Sequence, residues 1–101
     1  MEGSMATYAT LLRLTDKGIA NIKESPVRED AYKKSIRSLG GELKGFFLLL
    51  GGYDMLALVS APDDETMTRI NLSLCSLGNV RSETMRAFSE EEYRKLIGSL
   101  P

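Results

Sequence analysis

The spacing of apolar residues changes period several times along the chain, and each change marks an element. Residues 6–14 put Tyr8, Thr10, Leu12 and Leu14 on one side and Thr7, Ala9, Leu11 and Arg13 on the other, the period of a strand. Thr15 then has N-cap chemistry, with Asp16 behind it to complement the helix dipole, and a short helical segment carries Ile19 and Ile22. Ser25-Pro26 interrupts that segment, because proline lacks a backbone donor and restricts the residue before it. Ser25 can cap a second helix with Pro26 in its first position. Tyr32, Ile36 and Leu39 supply its apolar side, and Gly40-Gly41 ends it.

Residues 45–59 organise the rest. Two apolar runs surround Gly51-Gly52, which predicts a β-hairpin with a tight two-residue turn and positive φ at both glycines. If Leu50 pairs with Tyr53, then Leu48 faces Met55, Phe46 faces Ala57 and Lys44 faces Val59. One face then carries Phe46, Leu48, Leu50, Tyr53, Met55, Ala57 and Val59. The other carries Leu43, Phe47, Leu49, Leu56 and Leu58, with Asp54 among them. A hairpin with one wet face alternates apolar and polar residues, and this one does not, so both faces require cover.

Pro62 followed by Asp63, Asp64 and Glu65 is a helix start, and Met67, Ile70, Leu74 and Leu77 form a helical stripe that Gly78-Asn79 ends. Val80 to Phe88 reads as a fourth strand, with Ser82, Thr84 and Arg86 against Arg81, Glu83 and Met85. Ser89 and Glu92 have the spacing of a capping box, and the closing helix presents Tyr93, Leu96, Ile97 and Leu100. The order predicts an α+β, ferredoxin-like βαββαβ domain with a C-terminal helix and a four-stranded antiparallel sheet. Both long helices then share one sheet face. The last helix is too short to cover the other, so a second copy packed sheet against sheet is the expected cover.

Composition narrows the function. A chain of 101 residues is one domain. Met1-Glu2-Gly3-Ser4 reads as an expression-vector remnant, which leaves residues 5–101 as the domain. The net charge of −1, from 13 basic and 14 acidic residues spread along the chain, carries no nucleic-acid stripe. The longest unbroken apolar run, Phe46–Leu50, is far too short to span a membrane. No secretory signal is present, and the lone Cys75 fits a reducing cytoplasm. There is no histidine, which removes the commonest general base and metal ligand. Histidine-based nucleophilic systems and haem ligation within one chain go with it, and no metal or cofactor is expected.

Gly52-Tyr53-Asp54 resembles the signature of the GYD domain family, and the likeness runs through residues 6–98. It includes residues 14–19 (Leu-Thr-Asp-Lys-Gly-Ile), Ile22–Pro26, Leu39–Gly41, Ala61–Asp64 and Leu77–Arg81. The resemblance implies the dimeric α+β barrel superfamily, in agreement with the face argument, and imports no mechanism. Two other groups of that fold are the effector domains of leucine-responsive-type regulators and the cofactor-free monooxygenases with the haem degraders. The regulators normally carry a DNA-binding module that this chain lacks, and the haem degraders depend on histidine.

Asp54 is the first candidate site residue. Desolvation raises the pKa of an isolated buried carboxylate and makes it a usable base. Its other reading is a hydrogen-bond acceptor that sets the strand register. Tyr53 and Tyr8 can each offer a hydroxyl to a ligand or serve as packing aromatics. Arg13 can hold a carboxylate ligand or an acidic residue across an interface. Lys17 and Asn21 suit a solvated face better than an anion site, and Cys75 suits a helix flank better than a nucleophile. The expected protein is a homodimeric cytoplasmic module that binds a small molecule or regulates, with ligand contacts among Tyr8, Arg13, Tyr53 and Asp54. The alternative is a cofactor-independent enzyme with Asp54 as general base and Tyr53 or Arg13 stabilising charge. A third class, a purely structural assembly unit, predicts no ligand-sized pocket.

Overall fold

The structure, a computed structural model, describes residues 5–101, so the stretch 1–4 read as a vector remnant lies outside the described residues. The elements are β1 (Ala6–Leu14), α1 (Asp16–Ala20), a 3-10 turn (Ile22–Glu24), α2 (Ser25–Ser38), β2 (Glu42–Leu48), β3 (Met55–Ala61), α3 (Asp64–Cys75), β4 (Val80–Ala87) and α4 (Glu90–Gly98). The strands form one antiparallel sheet in the order β2-β3-β1-β4. This is the ferredoxin-like arrangement.

Local chemistry sets most boundaries. Thr15 Oγ1 accepts from the Gly18 amide at 3.1 Å, and Asp63 Oδ1 accepts from the Thr66 amide at 2.8 Å. Ser89 and Glu92 close both bonds of the capping box, at 2.8 and 3.1 Å. Gly40, at φ +92°, ends α2 in a conformation that costs a side-chain-bearing residue strain. Ser25 does not cap α2. It is the first helical residue, and Glu24, the last residue of the 3-10 turn, stands at the N-cap with φ −90° and ψ 0°. The 3-10 turn runs straight into the helix, so no extended cap residue intervenes.

The hairpin departs from expectation at both ends. Leu48 pairs with Met55 and Phe46 with Ala57, but a bulge between Leu43 and Gly45 brings Leu43, not Lys44, opposite Val59. One extra residue reverses the facing of everything beyond it, and Leu43 turns into the core. At the tip the two-residue turn does not form. The strands stop at Leu48 and Met55, six residues connect them, and only Gly51 of the glycine pair has positive φ. The Asp54 amide donates to Leu12 O at 2.8 Å, across to β1, while Leu49 N donates to Asp54 O at 2.8 Å. The tip is thus pulled over the end of β1. Leu48 and Leu50, expected on the covered face, project past it and are almost fully exposed.

Helices α2 and α3 cover one sheet face. Tyr32, Ile36, Met67 and Ile70 pack on Tyr8, Ala57, Val59 and Ala61, and Leu12, Met55 and Val80 form a second cluster at the hairpin end. Strand alternation sends Thr7, Ala9, Leu11, Arg13, Phe47, Leu56, Leu58, Arg81, Glu83 and Met85 to the opposite face. Helix α4 buries none of its residues, and Tyr93, Leu96, Ile97 and Leu100 are each about half exposed or more. The radius of gyration, 14.8 Å, exceeds the about 13 Å of a compact chain of this length. A helix with its apolar side in solvent and a sheet with one open face account for the excess.

Candidate functional site

The four residues singled out in the sequence fall in three separate places. Tyr8 lies on the helix side, buried, where its hydroxyl donates to Asp64 Oδ1 at 2.5 Å. Burial first, and the Asp64 carboxylate second, push its pKa up to about 12. The neutral phenol is therefore favoured in the fold. Stability that is complete below pH 10 is lost as pH rises from 10 through 12, because the unfolded chain gives up that proton first. A denaturation series between about pH 9 and 12 is expected to show this decline, and Tyr8→Phe is expected to make it shallower.

Arg13 and Tyr53 do meet, on the open face. The Arg13 guanidinium stacks over the Tyr53 ring at 4.4 Å from its centre and donates through Nε to Gly52 O at 3.0 Å. The Tyr53 hydroxyl donates to Glu83, and that carboxylate raises the phenol's pKa. Arg13 also stands directly opposite Arg81 in the β1–β4 register. Like charges so placed repel. With Leu11 and Ser82 these residues line a shallow groove at one end of the face. That Arg13, Arg81 and Glu83 share one face was available from the alternation of two neighbouring strands, since all three occupy outward positions.

Asp54 joins neither group. It is half-buried at the hairpin tip, and its Oδ2 accepts from the Leu14 amide at 2.8 Å. With its amide on Leu12 O, one residue bridges two positions of β1. This geometry is that of a latch holding the tip to the first strand. Cys75 is half-buried with its Sγ 3.3 Å from Ser82 Oγ, and Lys17 Nζ donates to Leu77 O at 2.8 Å.

A second space lies on the helix side, between α2, α3 and the hairpin end. This cavity of about 300 Å³ has Leu12, Phe46, Met55 and Val80 at its sheet side, Tyr32 and Leu74 on its walls, and Arg28 among its lining residues. None of these seven stood out in the sequence as a ligand contact, because six read as ordinary stripe or strand residues and Arg28 as one helix charge among many. The Tyr32 hydroxyl is sealed from solvent and has no hydrogen-bond partner among the described residues. Burial pushes its pKa upward. An unmet buried hydroxyl costs its desolvation, so Tyr32→Phe is expected to stabilise the protein by about 1 kcal/mol. The midpoint of thermal unfolding is then expected to rise by about 5 °C.

Among the described residues no helix is long and apolar enough to cross a membrane. No group of three or more Asp, Glu or Cys side chains among them is placed to hold a metal ion.

This geometry has relatives. A Thermus thermophilus protein named "Glutamine synthetase and cystathionine beta-lyase binding protein" is 32% identical over 84 residues, which are 82% of this chain and 88% of that protein. The crystal structure of TTHA0845, also from Thermus thermophilus, superimposes with a TM-score of 0.55 at 28% identity, covering 84% of this chain and 95% of that one. The C-terminal domain of MgtC from Mycobacterium tuberculosis shares the fold, with a TM-score of 0.54 at 16% identity over 86% of this chain and 92% of that domain. Residues 8–97 match the GYD domain as a unit, from the first strand through the exposed last helix, and the chain belongs to the GYD domain family.

Proposed function

We propose that this chain is a homodimeric cytoplasmic regulatory module that works by binding, taking a small molecule and an enzyme partner. The observation that carries the reading is the uncovered sheet face. Its centre is Leu11, Leu56 and Leu58, with Phe47 and Met85 about half exposed to either side. A contiguous apolar face of that kind marks an interface.

Area decides how it is used. Four strands about 4.8 Å apart and about seven residues long present a flat footprint of about 450 Å². A standard stable interface takes about 800 Å² per partner. Helix α4, with Tyr93, Leu96 and Ile97 exposed, offers further apolar surface, so the proposed dimer packs sheet on sheet with each α4 laid against the other protomer. The relative named for binding glutamine synthetase and cystathionine beta-lyase supports an enzyme as the further partner.

A cofactor-independent enzyme with Asp54 as base draws less support. The Asp54 Oδ2 is engaged by the Leu14 amide, and Tyr53 and Arg13 turn to Glu83 and Gly52 instead.

Native mass spectrometry tests the reading. Twice the 11.2 kDa of the chain is expected at micromolar concentration. Mixed with purified glutamine synthetase and cystathionine beta-lyase of its source organism, the dimer is expected to co-elute with at least one. A monomer that binds neither enzyme overturns the proposal.

A further inference from the structure

The cavity between α2, α3 and the hairpin end is independent of the open sheet face. From its lining we infer that it binds a small organic acid, with the apolar body against Leu12, Phe46, Met55 and Val80 and the carboxylate on Arg28. The inference rests on reading the chain as a small-molecule-binding module, and it says where and what.

Charge singles out the ligand class. Arg28 and Glu29 are the only charged residues lining the cavity among the described residues. Glu29 has its own counter-charge, with Lys33 Nζ at 3.7 Å. Arg28 has no carboxylate within ion-pair distance among the described residues. Its guanidinium donates instead to two neutral carbonyls, Asn21 O at 2.9 Å and Gly18 O at 3.4 Å. Those bonds use two of the roughly five N–H donors of a guanidinium. They also brace α2 against the turn after α1, which holds the group in place at the cavity.

A half-buried cation without an anion, beside an apolar chamber, suits an amphipathic monoanion. The carboxylate accepts charge-assisted bonds from the free N–H groups, and the body takes up apolar surface otherwise left wet. Neutral and cationic molecules of the same shape gain only the second term. The volume of about 300 Å³ holds about ten heavy atoms, at the roughly 30 Å³ that a water molecule occupies in the liquid.

Octanoate, octan-1-ol and octylammonium are the probes, each titrated into the full chain by calorimetry and followed by amide NMR. Octanoate is expected to bind about tenfold more tightly than octan-1-ol, the strength of one charge-assisted contact. Octylammonium is expected to bind more weakly still, with all shifts centred on Leu12, Met55, Leu74 and Val80. Arg28→Gln is expected to bring octanoate down to the affinity of octan-1-ol and leave octan-1-ol unchanged. Ser73→Trp, which fills the opening from an exposed position of α3, is expected to abolish both.

Equal affinity for octanoate and octan-1-ol, no binding of either, no effect of both variants, or shifts centred on Leu56 and Leu58 would each overturn the inference. Circular dichroism on each variant separates lost binding from lost folding. Native mass on the same samples reads the dimer independently. A dimer that ignores octanoate removes the cavity ligand and leaves the module, whereas a monomer that binds octanoate does the reverse.

Discussion

In the proposed dimer, Leu58→Glu is expected to leave each protomer folded and to separate the pair. Leu58 is half-buried on the open side of β3, an interior strand, with Ala9 of β1 and Gly45 of β2 as its cross-strand neighbours. In an isolated protomer a glutamate there reaches water, so the fold loses little. At the centre of a sheet-on-sheet interface the same carboxylate is desolvated without a counter-ion. An unpaired buried charge costs about 3–5 kcal/mol. The dimer dissociation constant is therefore expected to rise by at least about a hundredfold. Light scattering across a concentration series reads the effect, with the unfolding temperature of the dilute protein as the control. A Leu58→Glu protein that remains dimeric at low micromolar concentration would place the interface elsewhere. Phe47→Glu, on the edge strand β2, is expected to weaken the dimer less, because water reaches a rim charge.

The second large effect is expected at Asp54. Asp54→Ala leaves the Leu14 amide without its acceptor, and the hairpin tip is then held to β1 by the backbone bond to Leu12 O without the carboxylate's second tie. A part-buried hydrogen bond to a charged group contributes about 2 kcal/mol, and its loss is expected to lower the unfolding midpoint by about 10 °C. Asp54→Asn retains an acceptor oxygen in the same place and is expected to cost less than half as much. Hydrogen exchange gives a local check. The Leu14 amide is expected to lose protection in Asp54→Ala while amides of α3 keep theirs. Should both variants retain full stability, the latch contributes nothing and the carboxylate is free for another role.

These expectations show how unevenly the chain discloses itself. The first strand, the caps of α1 and α4 and the start of α3 were legible because the groups that make them lie close in sequence. Thr15 with Gly18, Asp63 with Thr66 and Ser89 with Glu92 each span three residues. The central register of the hairpin, Leu48 on Met55 and Phe46 on Ala57, followed from the same short range. The bulge at Lys44 did not, since nothing local distinguishes a residue that is skipped from one that pairs. Nor did the open tip, because the turn preference of Gly51-Gly52 competes with Leu12 and Leu14, far upstream on β1.

For the site, the residue types were legible and the company they keep was not. Tyr8, Arg13, Tyr53 and Asp54 read as one candidate set. The fold sends Tyr8 to Asp64 on the helix side, Arg13 and Tyr53 to the open face beside Glu83, and Asp54 to the β1 backbone. Alternation and capping are settled by neighbours within a few residues, and so the α+β architecture and its doubly apolar hairpin can be read from the chain directly. Partners for polar side chains are settled by which strands and helices come to lie together. Among the described residues, that choice left Arg28 without an anion beside an apolar cavity and the Tyr32 hydroxyl without an acceptor, because packing the whole core outweighs satisfying any one group within it.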